Sequence, residues 1–383
     1  MRNIKLTQLF KEFFESEKSG GLVLLVCTIL SLLIANSAFG EMYRNFWHTK
    51  FLCLSIELWI NDGLMAIFFL LIGLELEREI YHGELSQIKN AMLPLFGAIG
   101  GMVVPAGIYF LLNSSSSTQH GIGIPMATDI AFALGILSLL GKRVPASLKI
   151  FLTALAVIDD LGAIIIIAVF YTKTLALNYL FFALGIFSVL LILNKLKVYA
   201  VLPYLIGGIV MWFCMLHSGV HATITGVLLA FALPFGKGDE HSPSYKVQHF
   251  LHKPVAFGIL PIFALANTAI IFSGSIFTLL TEHYSLGIAL GLIVGKPVGI
   301  FLLVLIAVSL KLCTLPENLS WKNIFGVGCL GGIGFTMSIF ITLLAFDDEM
   351  IINNAKLVIL LSSLVSGVLG FLMLKMTLKT KVA

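Results

Sequence analysis

Asp159 and Asp160 stand side by side in "ALAVIDDLGAIIII" (Ala154–Ile167), with almost nothing but apolar residues before and after them. Two more ionisable residues share that setting: Asp129 in "GIPMATDIAFALG" (Gly123–Gly135) and Lys296 in "GLIVGKPVGI" (Gly291–Ile300). Paired carboxylates away from water raise each other's proton affinity, and their titrations couple. A nearby lysine opposes that effect. Carboxylate oxygens also suit small hard cations, so a proton and a cation compete for them. A structural ion pair needs one acid and one base. Three acids against one base leave an excess of negative charge, which suits a proton or cation site. Adjacent helical residues diverge by about 100°. One aspartate of the pair can therefore face a neighbouring helix while the other faces an ion path.

The elements around these residues belong to a membrane protein. The chain has 383 residues, 58% hydrophobic and 11% charged, with a mean hydropathy of +1.02. Soluble domains carry about 25% charged residues. A hydrocarbon core about 30 Å thick takes roughly 20 apolar residues per helix. That ruler gives about twelve transmembrane helices, at 19–37, 58–77, 94–112, 121–140, 148–171, 178–194, 198–216, 220–234, 254–273, 285–310, 324–346 and 355–376. The fold class is all-α and polytopic, and 1–383 reads as one transmembrane domain. "ANSA" (Ala35–Ala38) resembles a signal-peptide cleavage site, but the long leader with Glu12, Glu15 and Glu17 points to a retained first helix. The longest polar stretch, Gly236–His249, reads as a loop. Each of the four midspan charges costs about 2.5–3.5 kcal/mol at a helix centre, so each must face a cavity or a partner.

Nineteen of the 24 Lys and Arg residues fall on one side of these spans. Only Arg44, Lys50, Lys173 and Lys356 fall on the other, and Lys296 lies within a span. The positive-inside rule then places both termini in the cytoplasm. The bases are spread over short loops, which argues against a nucleic-acid partner. Cys27, Cys53, Cys214, Cys313 and Cys329 are scattered and read as small apolar residues rather than as a disulfide or metal framework.

Two spans look discontinuous. The fourth holds Pro125 and Thr128, and "GVGCLGGIGFTMSIF" (Gly326–Phe340) puts five glycines into the eleventh. Irregular backbone at membrane depth survives only where protein or a watery cavity covers it. The glycines fit close helix packing as well as they fit a break. Helices 3–5 (about 94–171) and 10–12 (about 285–376) start on opposite sides and carry matching interruptions, the pattern of inverted-topology repeats; the remaining helices form a scaffold. Opposed half-helix ends there supply partial charges that Asp129 and Lys296 can offset.

The motifs "ATDIAFALG", "ALAVIDDLGAIIIIAVFYT", "HSGVHAT", "GLIVGKPVGI" and "GIGFTMSIF" resemble the NhaA-type sodium/proton antiporters of bacteria, in order and over nearly the whole chain. The inverted repeat is also a documented property of that family. The resemblance implies an antiporter of the bacterial inner membrane, without cofactor, that exports sodium and also lithium for external protons, electrogenically and under pH control, by alternating access. Asp160 resembles the principal sodium ligand and proton carrier. Asp159 resembles its partner, which pairs with Lys296 when sodium is absent. Asp129 and Thr128 match the broken fourth helix. Glu75, Arg78 and Glu79 in "GLELEREIYHG" match a cytoplasmic cluster linked to pH activation, and His221 matches a position that shifts the pH profile.

Two departures stand out. Gln248 in "YKVQHFLHKP" occupies a place where members carry a glutamate of the pH-responsive cluster. The first external loop, Ser37–Glu57, looks shorter than in members that dimerise through a β-hairpin there, so the homodimer expected of the family has little local support. His217 and His221 have the i, i+4 spacing of a metal pair but no evident third ligand. A metal-dependent membrane transferase would want further acids after Asp160, and Ala163 stands where the next belongs. An intramembrane aspartyl protease would want its two acids on separate helices within its own glycine motifs, and a symporter or channel on a related fold is the remaining alternative.

Overall fold

In the computed structural model the described residues are 8–52, 54–171, 175–271, 279 and 281–378. Cys53 and the topology-setting bases Arg2, Lys5, Lys173, Lys379 and Lys381 lie outside them. The described chain is nearly all helix. Water is absent from a hydrocarbon core, so each backbone N–H and C=O must find its partner within its own segment. Seven helices are long and apolar enough to cross a membrane, and three bent helix pairs raise that to as many as ten.

α1 (Gln8–Ala35) turns by 114° into α2 (Gly40–His48). The loop that follows carries a small antiparallel hairpin, β1 (Lys50–Phe51) with β2 (Leu54–Ser55), in the register Lys50↔Ser55 and Phe51↔Leu54. The next span, Ile56–Tyr81, joins α3 (Ile56–Leu58) to α4 (Met65–Tyr81) through a π-helical turn at Trp59–Leu64. Then come α5 (Ile88–Asn113), a 3₁₀ segment at Ser117–Met126, α6 (Ile130–Leu139) and α7 (Ala146–Phe170). α8 (Leu177–Lys195), α9 (Leu202–Ser218) and α10 (Ile224–Ala232) follow. α11 (Pro243–Pro254) runs through a π turn into α12 (Leu260–Asn267). The last set is α13 (His283–Leu290), a π turn at Gly291–Gly295, α14 (Lys296–Ser309), α15 (Trp321–Gly331), α16 (Phe335–Ala345) and α17 (Glu349–Thr377).

Two expectations need correction. The spans drawn at 198–216 and 220–234 are the short helices α9 and α10, separated by Gly219 in the left-handed conformation. Residues 243–249, expected in a loop, open a 25-residue helical span, Pro243–Asn267, because Pro243 suits a first helical turn. Lys356, counted on the external side at the start of the twelfth span, lies within α17.

The pattern of long helix, broken helix, long helix occurs twice: α5, Ser117–Met126 with α6, α7; and α13–α14, α15 with α16, α17. The first break bends the chain by 40° and the second by 46°. α5 packs along α14, and α1 along α6. The α5–α14 crossing is glycine on glycine. A Cβ on Gly100 would collide with the carbonyl oxygen of Gly299, and the reverse also holds. Backbones approach this closely only where side chains are missing. Gly299 lies one turn beyond Lys296, so this crossing fixes where that lysine enters the core.

Candidate functional site

The two breaks meet. Pro125 and the extended residues that follow it end the first half-helix, and Gly332–Gly334 interrupts the second. The amide of Asp129 donates to the carbonyl of Ile333 at 2.6 Å. Ser338 Oγ donates to the carbonyl of Ile124 at 2.7 Å. Gly332 and Gly334 have negative φ, so glycine is not required there by backbone conformation. A Cβ on Gly332 would instead strike the carbonyl of Leu292, in the π turn before Lys296. The glycine run therefore both packs and breaks.

Asp129 caps two helices at once. Its Oδ1 accepts from the amide of Phe132 at 2.9 Å, in the first turn of α6. Its Oδ2 accepts from the amide of Thr336 at 3.0 Å, and from the Thr336 hydroxyl, in the first turn of α16. Both helix N-termini carry partial positive charge and unsatisfied N–H groups, and one carboxylate answers both. Thr336 is a site residue that the sequence pattern missed, because nothing but the fold brings it to Asp129.

Near the middle of α7, Asp159 and Asp160 are 1% and 0% exposed, and Lys296 is 0% exposed. Lys296 Nζ forms an ion pair with Asp159 Oδ2 and donates to Thr128 Oγ1 at 2.7 Å. The Thr128 hydroxyl has Asp159 Oδ2 at 2.7 Å and the carbonyl of Gly331 at 2.9 Å, and its single proton serves one of them at a time. Three elements thus converge on one carboxylate oxygen: the first break, α7 and the start of α14. Asp160 differs sharply. Both of its carboxylate oxygens, and Oδ1 of Asp159, are buried without a hydrogen-bond donor from the described residues. A buried acid in that condition is costly unless it holds a proton or a cation. Among the described residues no group of three or more His, Cys, Asp or Glu is arranged for a metal, which includes His217 with His221.

The residues expected to respond to pH separate into two places. Glu75 is buried near the end of α4, with its Oε1 3.5 Å from His252 Nδ1 of α11. The Arg78 guanidinium lies over the ring of Tyr245, 5.2 Å from its centroid. Gln248 is buried on α11, one turn before His252 and one turn after Tyr245. Glu79, one turn after Glu75 on α4, is half-buried. His221 is elsewhere. It follows α9, with Nε2 2.9 Å from the carbonyl of Tyr171 at the end of α7, and lines a cavity together with Glu57. Glu57 and Glu75 sit at opposite ends of one span, roughly 27 Å apart along a helix. Glu77, which the sequence pattern passed over, is also buried in α4, with one carboxylate oxygen lacking a donor among the described residues.

Residues 11–374 match the family model described as Na+/H+ antiporter 1. The chain is 69% identical over 379 residues to the Na(+)/H(+) antiporter NhaA of Flavobacterium psychrophilum, covering 99% of each. It is 61% identical over 376 residues to the Na(+)/H(+) antiporter NhaA of Cytophaga hutchinsonii, covering 98% of this chain and 97% of the relative. To the protein of that name from Vibrio parahaemolyticus it is 48% identical over 380 residues, covering 98% of this chain and 99% of the relative.

Proposed function

The chain belongs to the Na+/H+ antiporter 1 family, a family of transporters and not of enzymes, and from that premise we propose how its residues carry out the exchange. Asp160 binds the cytoplasmic sodium ion and, in the return half of the cycle, a proton from outside. Asp159 alternates between the ion pair with Lys296 and a place beside Asp160 on the cation. Lithium, a hard ion that also prefers oxygen ligands, is exported by the same site. Asp129 and Thr128 hold the two breaks together, so the broken helices with α7 and α14 move as a unit against the other spans. More protons than sodium ions move per cycle. Each net charge then gains about 2.3 kcal/mol per 100 mV from the membrane potential.

The observation that carries this reading is the contrast within the pair. Asp159 is bound by Lys296 and Thr128, while the carboxylate of Asp160, equally buried, receives no donor among the described residues. Two acids and a base so arranged let the lysine release one acid as the cation arrives. Topology follows the same proposal: the ten candidate spans together with the short helices α9 and α10 make twelve crossings. The repeats, about 94–171 and 285–376, are inverted, both termini are cytoplasmic, and the inner membrane is the site of action. Glu75, Arg78, Glu79 and Gln248 gate the cycle by pH from the cytoplasmic end of α4, and His221 influences it from the other end. Two copies form a homodimer.

Sodium-dependent proton movement in everted membrane vesicles is the test. Asp160→Asn is expected to reduce exchange by at least about 100-fold, since the amide neither carries the proton nor balances the cation. Wild-type exchange in that variant would remove Asp160 from the mechanism.

A further inference from the structure

A second buried lysine, Lys356 of α17, is 6% exposed. It lines a cavity of about 900 Å³ at the Glu57 end of the molecule, away from Glu75. Two groups of elements wall this cavity. On one side are α17 with Lys356 and α16 with Leu343 and Leu344, so the second broken helix reaches it. On the other are the π turn with Asn61 and Asp62, the end of α12 with Asn267, and the turn between α9 and α10 with His221. The cavity thus lies where the elements bearing the ion site meet the remaining spans. Its charged lining, besides Lys356, is Arg44, His48, Glu57, Asp62 and Glu349.

Lys356 differs from Lys296 in one respect that decides its use. Lys296 is bound to Asp159 and Thr128. Lys356 has no ion pair or hydrogen bond with any described residue. Glu57, which lines the same cavity, has its Oε2 3.2 Å from His48 Nδ1 instead. A lysine that only fastens helices would be closed on a carboxylate. One buried along its stem with an unclosed head in a cavity projects its charge into the water there.

We propose that Lys356 sets the cation affinity at this mouth of the transport path: its positive charge repels sodium from the cavity and so favours release over rebinding. The proposal rests on the reading that sodium passes Asp159 and Asp160 and leaves at the Glu57 end. A single charge acting through a partly watery cavity changes the affinity by about three- to tenfold.

The apparent KM for sodium, presented to each membrane face in turn in right-side-out and everted vesicles, tests it. Lys356→Gln is expected to lower the external-face KM about three- to tenfold and leave the cytoplasmic-face KM unchanged, with Lys356→Arg behaving as wild type. An unchanged external KM, an equal change at both faces or a change at the cytoplasmic face alone overturns the assignment. Failure of the underlying site reading would show separately, as Asp160→Asn that still exchanges. Should the glutamine variant not accumulate, Lys356→Met in phosphatidylcholine liposomes takes its place, with the same fall in external-face KM expected and an unchanged external-face KM refuting the proposal.

Discussion

The midplane junction and the end of α4 are both clusters of buried charge, yet they are built differently. At the midplane, backbone and side chain interlock: Asp129 receives three donors from two helices, and Asp159 receives Lys296 and Thr128. At the end of α4 the contacts are looser. A histidine stands 3.5 Å from Glu75, and an arginine rests on the Tyr245 ring. The difference teaches that the first region's charges hold the protein together, whereas the second can change its charge at small structural cost. Substitutions at the midplane should therefore lower stability and exchange together, and substitutions at the end of α4 should alter when exchange occurs.

The sharpest attempt to break that contrast is Lys296→Met. Removing one partner of a buried pair leaves the other charge uncompensated, at a cost of about 3–5 kcal/mol. The unfolding midpoint of the detergent-solubilised protein should fall strongly, and the loss should shrink in acid, where Asp159 can take up a proton instead. A melting curve superimposable on the wild type at neutral pH would mean that the ion pair contributes little there. Next in size is Asp129→Ala, which strips the caps from α6 and α16 together. With each cap worth about 1 kcal/mol and buried amides left without acceptors, a loss of about 2–3 kcal/mol is expected. Asp129→Asn keeps an acceptor oxygen and should recover part of it; equal losses in the two variants would show that the capping geometry is not what matters. Thr336→Val removes one of the three donors to Asp129 and should cost about 1–2 kcal/mol, read in the same melts, with near-wild-type stability as the contrary result.

How far the sequence alone reaches follows the same divide. Asp129, Asp159, Asp160 and Lys296 are legible because charge within an apolar run is costly wherever the helix ends up. Pro125 and the glycines 326–334 announce interruptions for equally local reasons. What remained hidden depends on two distant segments meeting. Thr336 looks like any threonine in a helix until the second break is laid against the first. Gly100 and Gly299 look like ordinary glycines until α5 and α14 cross. The segment 243–249 reads as a polar loop because its charged residues mask a helix that shows its buried face, with Gln248 and His252, to α4. His221 and the Glu75 group, joined by a shared expected response, are separated by the length of a span.

The smallest expected effect is the one that most refines the comparison. Gln248 is buried between Tyr245 and His252 on the face of α11 that meets α4. Gln248→Glu hardly changes the volume, so packing should survive, and with His252 one turn away able to hold a proton beside the new carboxyl, stability should move by about 1 kcal/mol or less. Its charge would act on the Glu75–His252 contact one helical turn away. Negative charge added beside protonatable groups holds their protons to higher pH. If loss of those protons releases the transporter, the pH of half-maximal exchange must rise in the variant, with the maximal rate unchanged. Exchange measured across a pH series beside the wild type decides the matter. A shifted profile with an unchanged melting curve separates timing from architecture, as the looser contacts at this end of α4 imply. An unmoved profile would take Gln248 out of the pH response and leave Glu75 and His252 as the pair to dissect.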